Sequence, residues 1–561
     1  MMWVDGLILK MSKLGIGGRF LGWTESFLKG RSFQVRIQNT LSSSYSLENG
    51  IAQGAQISPF LFIIMNNDIT TRLTSVDSSL FADDLEIDTG GKNVKTIINK
   101  IQKSLDIIEE ESDTWGLKIS VEKTIGVLFT NSLTNIDITL KIYNKNIPIR
   151  TSAKFLGVTF DRELRFTMHI KDITNRCNRR LNLLRCLTGT TWGASPRFLL
   201  ILYKTLILSV IDYGSIIYDI APTRILQSID NIQREALRII TGAMRGTAID
   251  ALQVITGQIP LDIRRTSIQL KYFITIESNP SHPCKMVYED HWMNSYGKYT
   301  QHKNTLYNKL KSIPPNIIQK SCVQHRVISS TPPWRKKPLT INMDLKYTPK
   351  PKINTITNTD YEITNTLHNS SSSIHIFTGL SRDTNEKTGI STILYKQNKE
   401  MCSTSHRTSD GVSTDTAKLV AIKTGIEILE KTERENKDAI IFTDSEYIIK
   451  NLSTEEIIMD KLTNDIYEHI TNSNRNITII WIPSNADIKG KSRAEEEAEK
   501  GRINPTINLP IGDSLENARR KIQTHCNTIW QNKWDRGKTG RHYYNLEPTV
   551  NKQTKTIHKG N

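Results

Sequence analysis

Two adjacent carboxylates, Asp83 and Asp84, sit in Ser79-Leu80-Phe81-Ala82-Asp83-Asp84-Leu85-Glu86-Ile87. Apolar residues flank them, and nothing nearby in sequence neutralises them. The pattern predicts a hairpin whose tight turn runs from Phe81 to Asp84, where Asp is tolerated. Like charges so close repel, and a divalent cation removes that cost. Carboxylate-held metal pairs suit phosphoryl and nucleotidyl transfer, because they clamp the attacking and leaving oxygens together. A solvated turn is the bland alternative for an Asp-Asp pair taken alone.

The neighbouring blocks shift that balance. Upstream lies Asn49-Gly50-Ile51-Ala52-Gln53-Gly54-Ala55-Gln56-Ile57-Ser58-Pro59. Downstream lie Trp115-Gly116-Leu117-Lys118 running to Lys123-Thr124, then Phe155-Leu156-Gly157-Val158-Thr159-Phe160. In this order and spacing they resemble the palm motifs of jockey-like reverse transcriptases from non-long-terminal-repeat retrotransposons. The resemblance extends through Trp192-Gly193-Ala194, Leu202-Tyr203-Lys204, Asp212-Tyr213-Gly214 and Gln233 to Arg238, ending near Arg265. A weaker stretch from Ile374 to Gly501 resembles ribonuclease H.

The resemblance implies RNA-directed DNA synthesis with two Mg²⁺ ions. Asp83 and Asp84 would be metal ligands, and Lys123 a cation or general acid near the leaving pyrophosphate. Gln53 and Gly54 would shape the nucleotide pocket, and Phe155 and Gly157 would hold the primer. Partners would be an RNA template, RNA–DNA hybrid, DNA and deoxynucleotides. The family's first palm Asp falls upstream of Met1, so the expectation is an N-terminally truncated, inactive copy. Asp5, the one acid near that position, is expected to cap a helix.

The ribonuclease H family holds two metals with four carboxylates. They fall here on Gly379, Lys418, Asp444 and Glu495, and the family's His falls on Asn485. Only Asp444 is unchanged, with Glu495 a conservative stand-in. Lys418 puts a positive charge where a cation should bind. The domain is expected to fold without cutting, and reverting Gly379→Asp and Lys418→Glu together is expected to regain metal binding. Two other classes stay open: a non-catalytic nucleic-acid binder, and a nuclease acting through the C-terminal domain.

A chain of 561 residues is too long for one core. The fold class expected is multidomain α+β. A partial palm occupies 1–130, and palm end plus a helical thumb-like region 131–275. A Pro/Lys-rich linker takes 276–369, a ribonuclease H-like α/β domain 370–503, and a basic tail 504–561. Net charge +17 points to polyanions, with nucleic acid the default. Six unpaired-looking Cys support neither a zinc site nor a disulfide framework. They suit an intracellular setting, nucleus or cytoplasm. The longest apolar run, Ile57 to Met65, is far below the roughly 18 residues a membrane helix needs. Oligomeric state is not legible.

Overall fold

The computed structural model describes residues 2–131, 137–189, 192–288, 309–310, 313–314, 323–343, 373–432, 438–454, 456–484 and 488–550. The chain divides into two compact units. One comprises Met1–Asn182 and Ala221–Ile232, the other Leu183–Ile220 and Gln233–Asn561. Among the described residues no helix is long and apolar enough to cross a membrane.

In the first unit, helices α1 (Val4–Lys13), α2 (Gly18–Leu28) and α3 (Ser58–Asn66) pack around Leu7, Met11, Leu28, Leu61 and Met65. Val4, Leu7 and Met11 recur at helical spacing, which gives α1 one buried stripe. Gly15 and Gly18, both at positive φ, turn the chain between α1 and α2. Asp5 lies inside α1 rather than at its cap, and pairs with Lys29 at 2.9 Å. Strands β1 (Asp77–Phe81) and β2 (Asp84–Asp88) form an antiparallel hairpin, followed by helix α4 (Val94–Thr114). Asn93 caps α4 by accepting from the Lys95 amide. Ile98, Ile101, Leu105 and Ile108 recur at helical spacing and form the face α4 buries. A second hairpin pairs β3 (Ser152–Phe155) with β4 (Val158–Asp161), and α5 (Thr167–Cys186) follows.

The second unit holds a six-stranded sheet. Its strands are β5 (Thr340–Asn342), β6 (Ile374–Arg382), β7 (Thr388–Lys396), β8 (Lys399–Arg407), β9 (Asp438–Thr443) and β10 (Asn476–Trp481). Their order across the sheet is β5-β10-β9-β6-β7-β8. β6 runs antiparallel to β7 and parallel to β9, and β10 runs parallel to both β9 and β5. Both faces are covered, so strands read apolar on both sides. Ile374, Ile376, Ala439 and Ile441 meet helices on one face, α7 (Thr414–Thr432), α8 (Glu446–Leu452) and α9 (Lys461–Asn472). Phe377, Ile440 and Phe442 pack on the other face around Ala494 of α10 (Lys489–Ile503). The helix α6 (Leu261–Ser278) is tied to its neighbours by ion pairs. Arg264 forks onto Asp212 at 2.7 and 2.5 Å, and the buried Arg265 meets the buried Asp219 at 2.6 Å.

Two boundary expectations differ from what folds. The stretch 504–561, expected as a basic tail, carries the 22-residue helix α11 (Leu515–Arg536). It buries Leu515, Ala518, Ile522, Cys526, Trp530 and Trp534 against Phe273 and Ile274 of α6. The apolar spacing of three, then four, explains it: basic residues take the remaining faces. Within the expected linker 276–369, the described stretch 323–343 joins the domain. Arg326–Ile328 pairs with Ile458–Asp460, and β5 becomes the sheet's sixth strand. Pro332, Pro333 and Pro338 fall between these strands, where they remove no ladder hydrogen bond.

Candidate functional site

The Asp83–Asp84 hairpin forms as its sequence predicts. Phe81 pairs with Asp84, leaving Ala82 and Asp83 as a two-residue turn. Ala82 takes φ of +53°, the left-handed geometry that tight hairpin turns require. Residues opposite each other share a face, so Asp77, Asp84, Glu86 and Asp88 lie on one side and Leu80, Leu85 and Ile87 on the other. Ile87 packs into the core beneath α4, which turns the acidic side outward. Asp83 and Asp84 are exposed, and among the described residues neither carboxylate has a hydrogen-bond or ion-pair partner. As donors they suit a hard divalent cation. Among the described residues, however, no three His, Cys, Asp or Glu side chains gather so as to hold a metal.

The acidic face sets carboxylates against one another. Burial, then the charges of Asp88 and Asp77, push the Glu86 carboxyl up, against a hydrogen bond from Ser79. Burial and Asp77 push Asp88 up likewise. An acid whose folded pKa is raised binds protons more readily folded than unfolded. It therefore costs stability above that raised value, and stability rises as pH falls through the window just above the ordinary carboxylate range. Glu86→Gln is expected to raise the thermal midpoint at pH 7, and the gain should shrink towards pH 4. Equal gains at both pH values would contradict this.

The remaining palm candidates are dispersed along loops. Gln53 and Gly54 are exposed in a turn before α3, with Gly54 at φ +88°. Lys123 is exposed in a turn closed by its amide on the Ser120 carbonyl. Among the described residues, no hydrogen bond or ion pair joins these three to the aspartate turn. Phe155 and Gly157 belong to the β3–β4 hairpin. Its turn is Leu156 at φ +45° and Gly157 at +83°, the doubly positive form that favours Gly at the second place.

The second candidate site has the geometry of an ion pair rather than a metal cage. Asp444 directly follows the last residue of β9, and Lys418 stands on the first turns of α7. Lys418 Nζ lies 2.5 Å from Asp444 Oδ1. Lys491 on α10, which sequence reasoning missed, is buried and donates to the Pro483 and Ser484 carbonyls. Burial holds the Lys491 ammonium below the usual lysine range, with the Lys418 charge adding to this and Asp444 and Glu495 opposing it. Two ammonium groups thus balance two carboxylates. The donor set does not fit a pair of divalent ions, which need several anionic oxygens. The clue in sequence was Lys491 four residues before Glu495, one helical turn away. Asn485 lies outside the described residues.

Gly379 has a second role. A Cβ built there would lie 2.1 Å from the Ala494 carbonyl oxygen and 2.6 Å from Ser391 Oγ. Helix α10 has closed on β6 to a distance that only glycine allows. Ser391 Oγ donates to the same Ala494 carbonyl. The double reversion expected from sequence therefore meets backbone at position 379, where a side chain has no room.

Residues 1–160 match the family model for reverse transcriptase (RNA-dependent DNA polymerase). The RNA-directed DNA polymerase from mobile element jockey of Drosophila melanogaster is 28% identical over 254 residues. The probable RNA-directed DNA polymerase from transposon BS of the same species is 27% identical over 283. The chain is a homologue of jockey-like retrotransposon polymerases. The two matches cover 43% and 48% of this chain, and 27% and 31% of those proteins. All seven palm candidates of this reverse transcriptase homologue fall inside the matched 1–160. Among solved structures, LC11-RNase H1 in complex with RNA/DNA hybrid is 15% identical, covering 23% of this chain and 95% of that one, with a TM-score of 0.20.

Proposed function

We propose that this chain serves RNA-directed DNA synthesis, with a C-terminal domain that holds RNA–DNA hybrid without cutting it. Supporting the first part is the paired-aspartate hairpin tip within a region matching reverse transcriptase. In this reading Asp83 and Asp84 contribute ligands for Mg²⁺. Bound metal would supply the charge that lets a primer 3′-hydroxyl attack a deoxynucleotide α-phosphate. Gln53 and Gly54 shape the nucleotide pocket, Lys123 faces the leaving pyrophosphate, and Phe155 and Gly157 support the primer. RNA template, hybrid and DNA are the partners.

One observation carries the second part: the Lys418–Asp444 ion pair. It fills with an internal ammonium the place where the nuclease reading needs a metal. Asp444 and Glu495 are then remnants of a ribonuclease H site. Hybrid affinity comes instead from Lys and Arg on phosphates, in keeping with the net charge of +17.

Anisotropy with a labelled RNA–DNA hybrid, over a salt series, tests the binding. Affinity is expected to fall by roughly a thousandfold between 50 and 200 mM salt if about six phosphates are neutralised. No binding at low salt, or affinity indifferent to salt, would contradict the reading.

A further inference from the structure

One loop in the second unit presents an aromatic ring to solvent between cations. Trp334 is 81% exposed, among the most exposed large apolar residues described. It sits in the short 3₁₀ turn Pro333–Arg335, closed by the Arg335 amide on the Pro332 carbonyl. Arg335 and Lys337 are exposed beside it, and among the described residues their cationic groups and the indole have no partner. The loop itself is held firmly. Arg326–Ile328 anchors one end by pairing with Ile458–Asp460, and β5 anchors the other in the sheet. In the middle, Lys336 Nζ donates to the Thr454 and Glu456 carbonyls at 3.2 and 2.8 Å, just past the end of α8. Tyr467 donates its hydroxyl to the Lys337 carbonyl.

We propose that Trp334, Arg335 and Lys337 form a binding point for single-stranded nucleic acid. A base stacks on the open indole, and the two cations meet the flanking phosphates. Stacking on the indole needs an open base face, which the stacked interior of a duplex does not offer and a single strand does. The anchored loop has its ordering cost settled in folding, so little more is lost when a strand arrives. Charge selects the ligand: two unpaired cations on a chain of net charge +17 favour a polyanion over an apolar peptide. The inference shares with the proposed function only its ligand class. It depends on neither Asp444 nor any metal.

Anisotropy of the full chain with a labelled deoxythymidine oligonucleotide of about 12 nucleotides, run beside the RNA–DNA hybrid, tests it. Trp334→Ala is expected to weaken single-strand binding about tenfold and leave hybrid affinity within about twofold. Trp334→Tyr should keep most of the single-strand affinity. Arg335→Ala with Lys337→Ala should flatten the single-strand salt slope by roughly 1.4, about 0.7 per phosphate contact. Unchanged single-strand binding by Trp334→Ala would overturn the proposal. So would equal loss for strand and hybrid at an unchanged thermal midpoint. A chain that binds hybrid but no single strand defeats this proposal alone, and one that binds neither defeats the proposed function as well.

Discussion

Lys418→Glu is expected to give the C-terminal domain a divalent-cation site. In the native chain Lys418 and Lys491 stand against Asp444 and Glu495, two positive charges against two negative, a local sum of zero. The substitution leaves one positive and three negative charges, a sum of −2. It also replaces the ammonium 2.5 Å from Asp444 with a third anionic oxygen donor. Without metal the new carboxylate repels Asp444, so the thermal midpoint should fall in a chelator. Mn²⁺ should restore it, since a ligand that binds only the folded state stabilises that state. Calorimetric titration should show Mn²⁺ binding in the variant and none at this site in the native chain. Adding Asp444→Asn should abolish it. Failure of Lys418→Glu to gain metal binding, with its fold intact, would mean the four charged groups do not converge as described.

Gly379→Asp is expected to do the reverse of what a lost ligand suggests. It should destabilise the domain by about 2–3 kcal/mol, the cost of forcing atoms into a packed interior. The nearest obstacle is the Ala494 backbone, which cannot swing aside as a side chain would. Helix α10 would have to lift off β6. Gly379→Ala isolates the cause, because it adds the Cβ without a charge, and urea unfolding should show a comparable loss. A stable Gly379→Asp variant would show that the helix stands further from the strand. The two missing carboxylates therefore differ: position 418 is open to reversion and position 379 is closed by packing.

Local signals in the sequence translated well into structure. The aspartates between apolar runs gave a hairpin. The isoleucine stripe from Ile98 to Ile108 gave the buried face of α4. Long-range facts were another matter. Lys491 reaches the charged cluster from the start of α10, which lies across β6, β7 and β8, and no local pattern states that crossing. The closeness that makes Gly379 obligatory depends on the same packing. The α11 helix was legible in principle, since Leu515, Ala518, Ile522, Cys526, Trp530 and Trp534 share a face. Its many basic residues drew the reading towards a tail. β5 was hidden by the prolines before it, which punctuate the loop and leave the strand clear.

In the proposed reading an internal ammonium has replaced the cation at Asp444, leaving a domain that holds hybrid without cutting it. Incubating the native full chain with labelled RNA–DNA hybrid in Mg²⁺ or Mn²⁺, and following both binding and RNA length, tests this most directly. Bound hybrid with its RNA intact is expected. Robust cleavage, lost on Asp444→Asn, would contradict it and return the domain to the nucleases.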